Sequence, residues 1–211
     1  MQETEGVIKY HLDHKQTAPS QERSLSEINS WRNLLYKLEL IGQNPTRYLG
    51  YGYGNISQRY SGEQFIISGT QTGGIAQLLA KHYCLIEKVD LVRNQVNSSG
   101  PCQPSSESLT HASVYQQNNN INCVIHAHSP EIWHATQHLA LPHTSSNIAY
   151  GTPEMAQAVT QLFKDEQFQQ QSIFTMLGHE DGVIAFGIDF PSTACSLITL
   201  LAACEQLSLP N

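Results

Sequence analysis

The stretch VIHAHSP, residues 124–130, decides how the chain is read. Two apolar residues lead into His126 and His128, which are spaced one residue apart. In a β-strand, residues i and i+2 project to the same face. His126 and His128 therefore stand together, with Ala127 opposite. Two imidazoles held that way are neighbouring ligands for a divalent metal. Zinc leads the candidates because it favours nitrogen donors in four-coordinate sites. The plainer alternative is a pair of hydrogen-bonded core histidines. Ser129 and Pro130 then open a helix, a side-chain cap followed by a proline in the first turn.

A catalytic zinc takes a third protein ligand and keeps an open position. His179, in LGHEDG (177–182), is the best candidate, because it ends an apolar strand among glycines that let the backbone bend. His134 and His138 compete for the role, four apart on one helix face. His111 follows Glu107 by one helical turn, so it either faces the same region or packs in the core. His11, His14, His82 and His143 have no context that marks them.

Working outward, helical spacing of Ile28, Trp31, Leu34, Leu35, Leu38 and Ile41 predicts a helix, with Ser24 or Ser26 as its cap and Gly42 as its stop. NISQRY and QFIIS read as strands joined by a Ser61-Gly62 turn, and HYCLIEKV and LVRNQV as further strands. SGTQTGG and NSSGPCQP read as loops. SSESLTHASVYQQ turns helical after its hydroxyls, NCVIHAHS is a strand, and SPEIWHATQH and TPEMAQAVTQLF are helices with the same start chemistry. SIFTML and GVIAFG are strands flanking GHED, and PSTACSLITLLAACEQL is the last helix. Residues 1–20 form an N-terminal arm with a short strand at GVIKYHL, and residues 21–211 form one domain. Interspersed strands and helices give one α/β domain, and the hairpins call for much antiparallel pairing.

The bulk numbers narrow the functional classes. A chain of 211 residues, 40% hydrophobic and 14% charged, is long enough for one sizeable core. The net charge of −7 and the lack of a Lys/Arg run argue against nucleic-acid and membrane partners. The five cysteines are Cys84, Cys102, Cys123, Cys195 and Cys204, an odd count without a C-x-x-C pair. They read as reduced thiols of a cytoplasmic protein. The polar N-terminus has no apolar core of a secretory signal, and ACSLITLLAAC is too short to span a bilayer.

Two further features could carry chemistry. Glu107, in PSSESLTH (104–111), is either a dipole partner at a helix start or a general base near a metal. Asn55, Ser68, Thr70, Thr72, Gly73, Ser105 and Ser106 lie in loops able to offer hydroxyls and amides to an anion.

The order of these pieces is more specific than any one of them. GNISQR, ISGTQTG, PSSESLTH, VIHAHS, GTPEMA and LGHEDG together resemble the class II aldolase/adducin family, from about Leu25 to Leu207. The resemblance implies a three-layer α/β/α sandwich around a central, mostly antiparallel sheet. It implies zinc on His126, His128 and His179, and a catalytic glutamate at Glu107. It implies a phosphate cradle of Asn55, Thr72, Gly73, Ser105 and Ser106, and a homotetramer with sites shared between neighbours. The activity implied is retro-aldol cleavage of a small sugar or sugar phosphate. Dehydratase, decarboxylase and epimerase chemistry, or a non-catalytic interaction module, are the alternatives. The sequence departs from the family pattern at Gly178-His179-Glu180, where Asn-His-Gly is usual, in a longer SGTQTGG loop, and in a shorter segment before YGTPEMA.

Overall fold

The computed structural model describes residues 6–19, 24–165, 168 and 171–208. Residues 1–5 and 20–23 of the N-terminal arm and its junction lie outside that range. In chain order the elements are β1 (His11–Gln16), α1 (Ser26–Lys37), β2 (Gly42–Gln43), β3 (Gly52–Tyr53), β4 (Asn55–Ser61) and β5 (Gln64–Ser68). They continue with β6 (Tyr83–Asp90), β7 (Gln95–Gly100), α2 (Ser108–Tyr115), β8 (Cys123–His128), α3 (Pro130–Ala135) and β9 (His143–Thr144). The last are α4 (Pro153–Leu162), β10 (Ile173–Met176), β11 (Gly182–Gly187) and α5 (Phe190–Ser208). Among the described residues nine strands make one sheet, in the order β1-β7-β6-β5-β4-β8-β11-β10-β9. Its pairings are antiparallel except at the two edges, where β1 runs parallel to β7 and β9 to β10.

Alternation along the strands makes two cores, one on each face. On β8, Cys123, Ile125 and Ala127 pack with Ile28 and Leu35 of α1, Ile132 of α3 and Phe190 and Leu197 of α5. Val124 faces the other way, with Leu109 and Tyr115 of α2 and Met155 and Val159 of α4. The architecture is thus α/β/α. His126 and His128 share the parity of Val124, so they project on the side of α2 and α4. Each fully buried aliphatic side chain in these cores contributes about 1.5–3 kcal/mol of transfer free energy.

Local chemistry accounts for the helix starts. Ser129 accepts a hydrogen bond from Ile132 N at 3.3 Å, and Thr152 accepts one from Met155 N at 3.3 Å. The sequence reading needs correction at three places. Helix α1 has Leu25 at its cap position without a side-chain bond, and it stops a turn before Gly42. There Leu40 N and Ile41 N both return to Leu35 O, and Glu39 takes the left-handed conformation. The stretch Asn97–Gly100, read as loop, is strand β7, because pairing on both sides outweighs the weak strand preference of Asn, Ser and Gly. The N-terminal strand begins at His11, later than GVIKYHL, and its register is set by β7. No helix among the described residues is long and apolar enough to cross a membrane.

Candidate metal centre

Strand β8 lies between β4 and β11, with His126 opposite Asn55 on one side and Ile184 on the other. His128 ends the strand opposite Gly182, and its N–H donates to Leu40 O at 2.9 Å. His179 sits in the tight turn between β10 and β11. Its N–H donates to Met176 O at 2.9 Å, and its carbonyl accepts from Gly182 N at 2.9 Å. Gly178 is required there, because a Cβ would collide with the carbonyl of Ile148.

The three imidazoles converge. One ligand nitrogen from each of His126, His128 and His179 lies within 4.8 Å of the others, and all three residues are buried. The Nε2 atoms of His126 and His128 are 3.1 Å apart. Nitrogens on a tetrahedral zinc stand about 3.3 Å apart, given Zn–N near 2.0 Å. His126 Nδ1 donates to Val183 O at 3.3 Å, which turns its Nε2 lone pair toward a cation. Burial, and then the neighbouring His179 and Arg47, hold the His128 pKa well below the usual imidazole range. A neutral imidazole is the form that ligates metal. The nitrogen donors, their spacing and the lowered pKa of His128 fit a zinc-type ion.

Glu107 occupies the N-cap position of α2 without a side-chain capping bond and is completely buried, with Oε1 at 3.5 Å from His179 Nδ1. Its backbone N–H donates to Ser105 Oγ at 3.2 Å, and Tyr10 Oη donates to Ser105 O at 2.7 Å. The turn through Ser105, Ser106 and Glu107 is thereby held from both sides. The loop after β5 runs beside it: Gly69 bridges Pro104, and Thr70 N donates to Gln103 O at 3.1 Å. In that loop Thr72 Oγ1 donates to Gly69 O at 2.7 Å, and Gly73 lies against Tyr53. Asn55 is buried, and its Oδ1 meets no partner among the described residues.

Sequence reasoning missed the rings that wall this centre. Tyr150 stacks on His179 with centroids 4.5 Å apart. The rings of Tyr48 and Tyr53 stand 4.7 and 5.4 Å from that of His128. Tyr48 Oη also donates to the Asp181 carboxylate, which pairs with Arg47 at 3.3 Å. The tyrosines among the glycines of RYLGYGYGN were a visible signal, but nothing local says which histidine they meet. His134 and His138 do not join the cluster. They line an open depression with Glu131, Cys204 and Leu207, and among the described residues no other metal-ligating group of three forms.

A family model for the class II aldolase and adducin N-terminal domain matches residues 46–207. The chain belongs to the class II aldolase and adducin family. Solved structures of similar fold include L-fuculose-1-phosphate aldolase from Thermus thermophilus. It is 18% identical with a TM-score of 0.60, over 87% of this chain and 95% of that one. A sugar-phosphate aldolase from Thermotoga maritima is 14% identical with a TM-score of 0.64, over 87% and 95%. YgbL from Escherichia coli, whose described activity is open among aldolase, epimerase and decarboxylase, is 14% identical with a TM-score of 0.62, over 84% of each chain. At these identities the likeness shows the fold. No curated protein matches the sequence.

His111 packs rather than joining the metal cluster. It is fully buried and its Nδ1 is 2.7 Å from Ser57 Oγ, which is 2.8 Å from Tyr115 Oη. Burial pushes its pKa down to about 3. The unfolded chain takes up that proton near pH 6.5 and the folded chain does not, so this histidine's contribution is intact above about 6.5 and shrinks as pH falls toward 3. His111→Gln is expected to remove one proton from the acid limb, lowering its slope by about 1.4 kcal/mol per pH unit. Denaturant unfolding of the metal-free protein between those pH values measures it, and an unchanged slope would contradict the assignment.

Proposed function

We propose that the protein is a zinc-dependent lyase that splits a small sugar phosphate by retro-aldol chemistry. The observation that carries this reading is Glu107, a wholly buried carboxylate beside His179 yet outside the group of three imidazoles. His126, His128 and His179 would hold the ion. When bound, zinc supplies a Lewis acid for the charge that develops on a ketone oxygen as the C–C bond breaks. In cleavage the β-hydroxyl loses its proton to solvent as it becomes the aldehyde carbonyl, and Glu107 delivers a proton to the carbon left beside the ketone. In synthesis Glu107 removes that proton and the aldehyde oxygen takes one from solvent. Asn55, Thr72, Gly73, Ser105 and Ser106 orient the substrate through its phosphate. The rings of Tyr48, Tyr53 and Tyr150 keep water from the imidazoles. The assembly proposed is a homotetramer, in keeping with the family resemblance, and the free cysteines agree with a cytoplasmic setting.

One preparation tests the reading. The purified protein is analysed for metal, sized by sedimentation, and assayed on phosphorylated and unphosphorylated ketoses, tetronates and methylthioribulose phosphate. Expected are one zinc per chain, a tetramer, and aldehyde release from a sugar phosphate. Release of water or carbon dioxide, or epimerisation, would move the reaction elsewhere in the family. A protein without metal would sink the reading.

A further inference from the structure

Arg32 stands where a helix normally buries an apolar side chain. It lies on α1 between the buried Ile28 and Leu35 and is itself only 1% exposed. Burial lowers its pKa from the usual guanidinium value, yet an arginine stays charged in proteins. Among the described residues no carboxylate forms a salt bridge with it. Its guanidinium instead donates to three carbonyls of one loop: Nη1 to Ala76 O at 3.0 Å, and Nη2 to Thr72 O at 3.0 Å and Gly73 O at 2.8 Å.

A trans peptide points its C=O and its N–H in opposite directions. With the carbonyls of Thr72 and Gly73 turned toward Arg32, the N–H groups of Gly73 and Gly74 point away from it. Neither donates a hydrogen bond to another described group. The far side of the loop is thus a pair of adjacent, aligned donors backed by a buried cation that has no carboxylate partner among the described residues, the electrostatics of an anion nest. The loop cannot shift easily, because a Cβ at Gly73 would lie 2.5 Å from Gly42 O and 2.7 Å from Tyr53 N. It also borders the metal centre through Tyr53, whose ring neighbours that of His128.

We infer that Arg32 is the positioning residue that holds the amides of Gly73 and Gly74 toward the phosphate site proposed above, and that its buried charge strengthens phosphate binding there. The inference rests on the substrate-binding role proposed above for this loop, and adds the residue that orients it and the charge that drives it. Arg32 does not touch the phosphate. It acts through the peptide dipoles and through a charge poorly screened by its buried surroundings.

The test is inorganic phosphate binding, by titration calorimetry at low ionic strength, to the zinc-loaded wild type and to Arg32→Lys, Arg32→Gln and Arg32→Met, with metal content and Tm recorded. Removing the charge in the Gln and Met variants is expected to weaken phosphate about tenfold, the scale of one interaction with a charged group, while Lys stays within about threefold. Metal content should not change. On a phosphorylated substrate KM should rise with little change in kcat, and an unphosphorylated analogue should be unaffected. If Arg32→Met fails to fold, the Lys and Gln variants still separate charge from polarity. Wild type that binds zinc but no phosphate would refute the loop's role itself. Wild type that binds phosphate no better than the Met variant, or a Lys variant as weak as Met, would refute the inference and leave the loop's role standing.

Discussion

Replacing Glu107 by glutamine is expected to stop turnover while the metal stays bound. The side chain is completely buried at the cap of α2, with its carboxylate against His179 Nδ1. Glutamine has the same shape and can still donate or accept a hydrogen bond there, so the fold and the three imidazoles are left as they are. What it cannot do is take and return a proton. Loss of a general base costs about 10²–10⁴-fold in rate. The measurement is kcat on the identified substrate, paired with metal content and with exchange into heavy water of the α-proton of the ketone product. Exchange isolates the step assigned to Glu107, because it needs proton transfer from the ketone but no aldehyde and no C–C bond formation. Full activity would remove Glu107 from the role of base. Loss of metal would make it a ligand, or a support of His179.

The parts of this molecule that could be read from sequence are those whose causes are local. VIHAHS forms a strand with both histidines on one face because strand parity needs only neighbouring residues. Ser129-Pro130 and Thr152-Pro153 start helices because a cap acts within one turn. Glu107 could be picked out only by its place after two serines, and its choice as base leaned on the resemblance. The remainder depends on residues far apart in the chain. Strand β1 lies along β7, pairing His11 with Gln95, and nothing in HLDHKQ announces a parallel edge partner. Tyr150 reaches His179 only after α4 and β10 have been folded between them. Arg32 reads as one polar position in an amphipathic helix, and its hydrogen bonds cross forty residues to Thr72. Burial of a charge is a property of the finished core, so no periodicity in α1 could have shown it.

Single replacement of His126, His128 or His179 by alanine should abolish tight zinc binding, whereas His134→Ala and His138→Ala should leave it unchanged. All five residues are histidines at spacings that can hold zinc, so the contrast tests geometry and not composition. The first three bring nitrogens within 4.8 Å in a buried cluster, while His134 and His138 line an open depression elsewhere. Removing even a group that merely supports a ligand costs about 10–100-fold in metal affinity, so removing a ligand from a set of three should cost at least about 100-fold. The effect is also visible without any substrate. Zinc that binds only the folded chain stabilises it by about 4 kcal/mol at a free concentration a thousand times its Kd. Wild type, His134→Ala and His138→Ala should therefore all gain Tm on zinc addition. The three cluster variants should not, and far-UV circular dichroism of each checks that its fold is kept. A zinc response that survives His179→Ala but vanishes with His134→Ala would place the ion on α3. It would also detach Glu107 from the metal, since that carboxylate is beside His179 and not beside the helix.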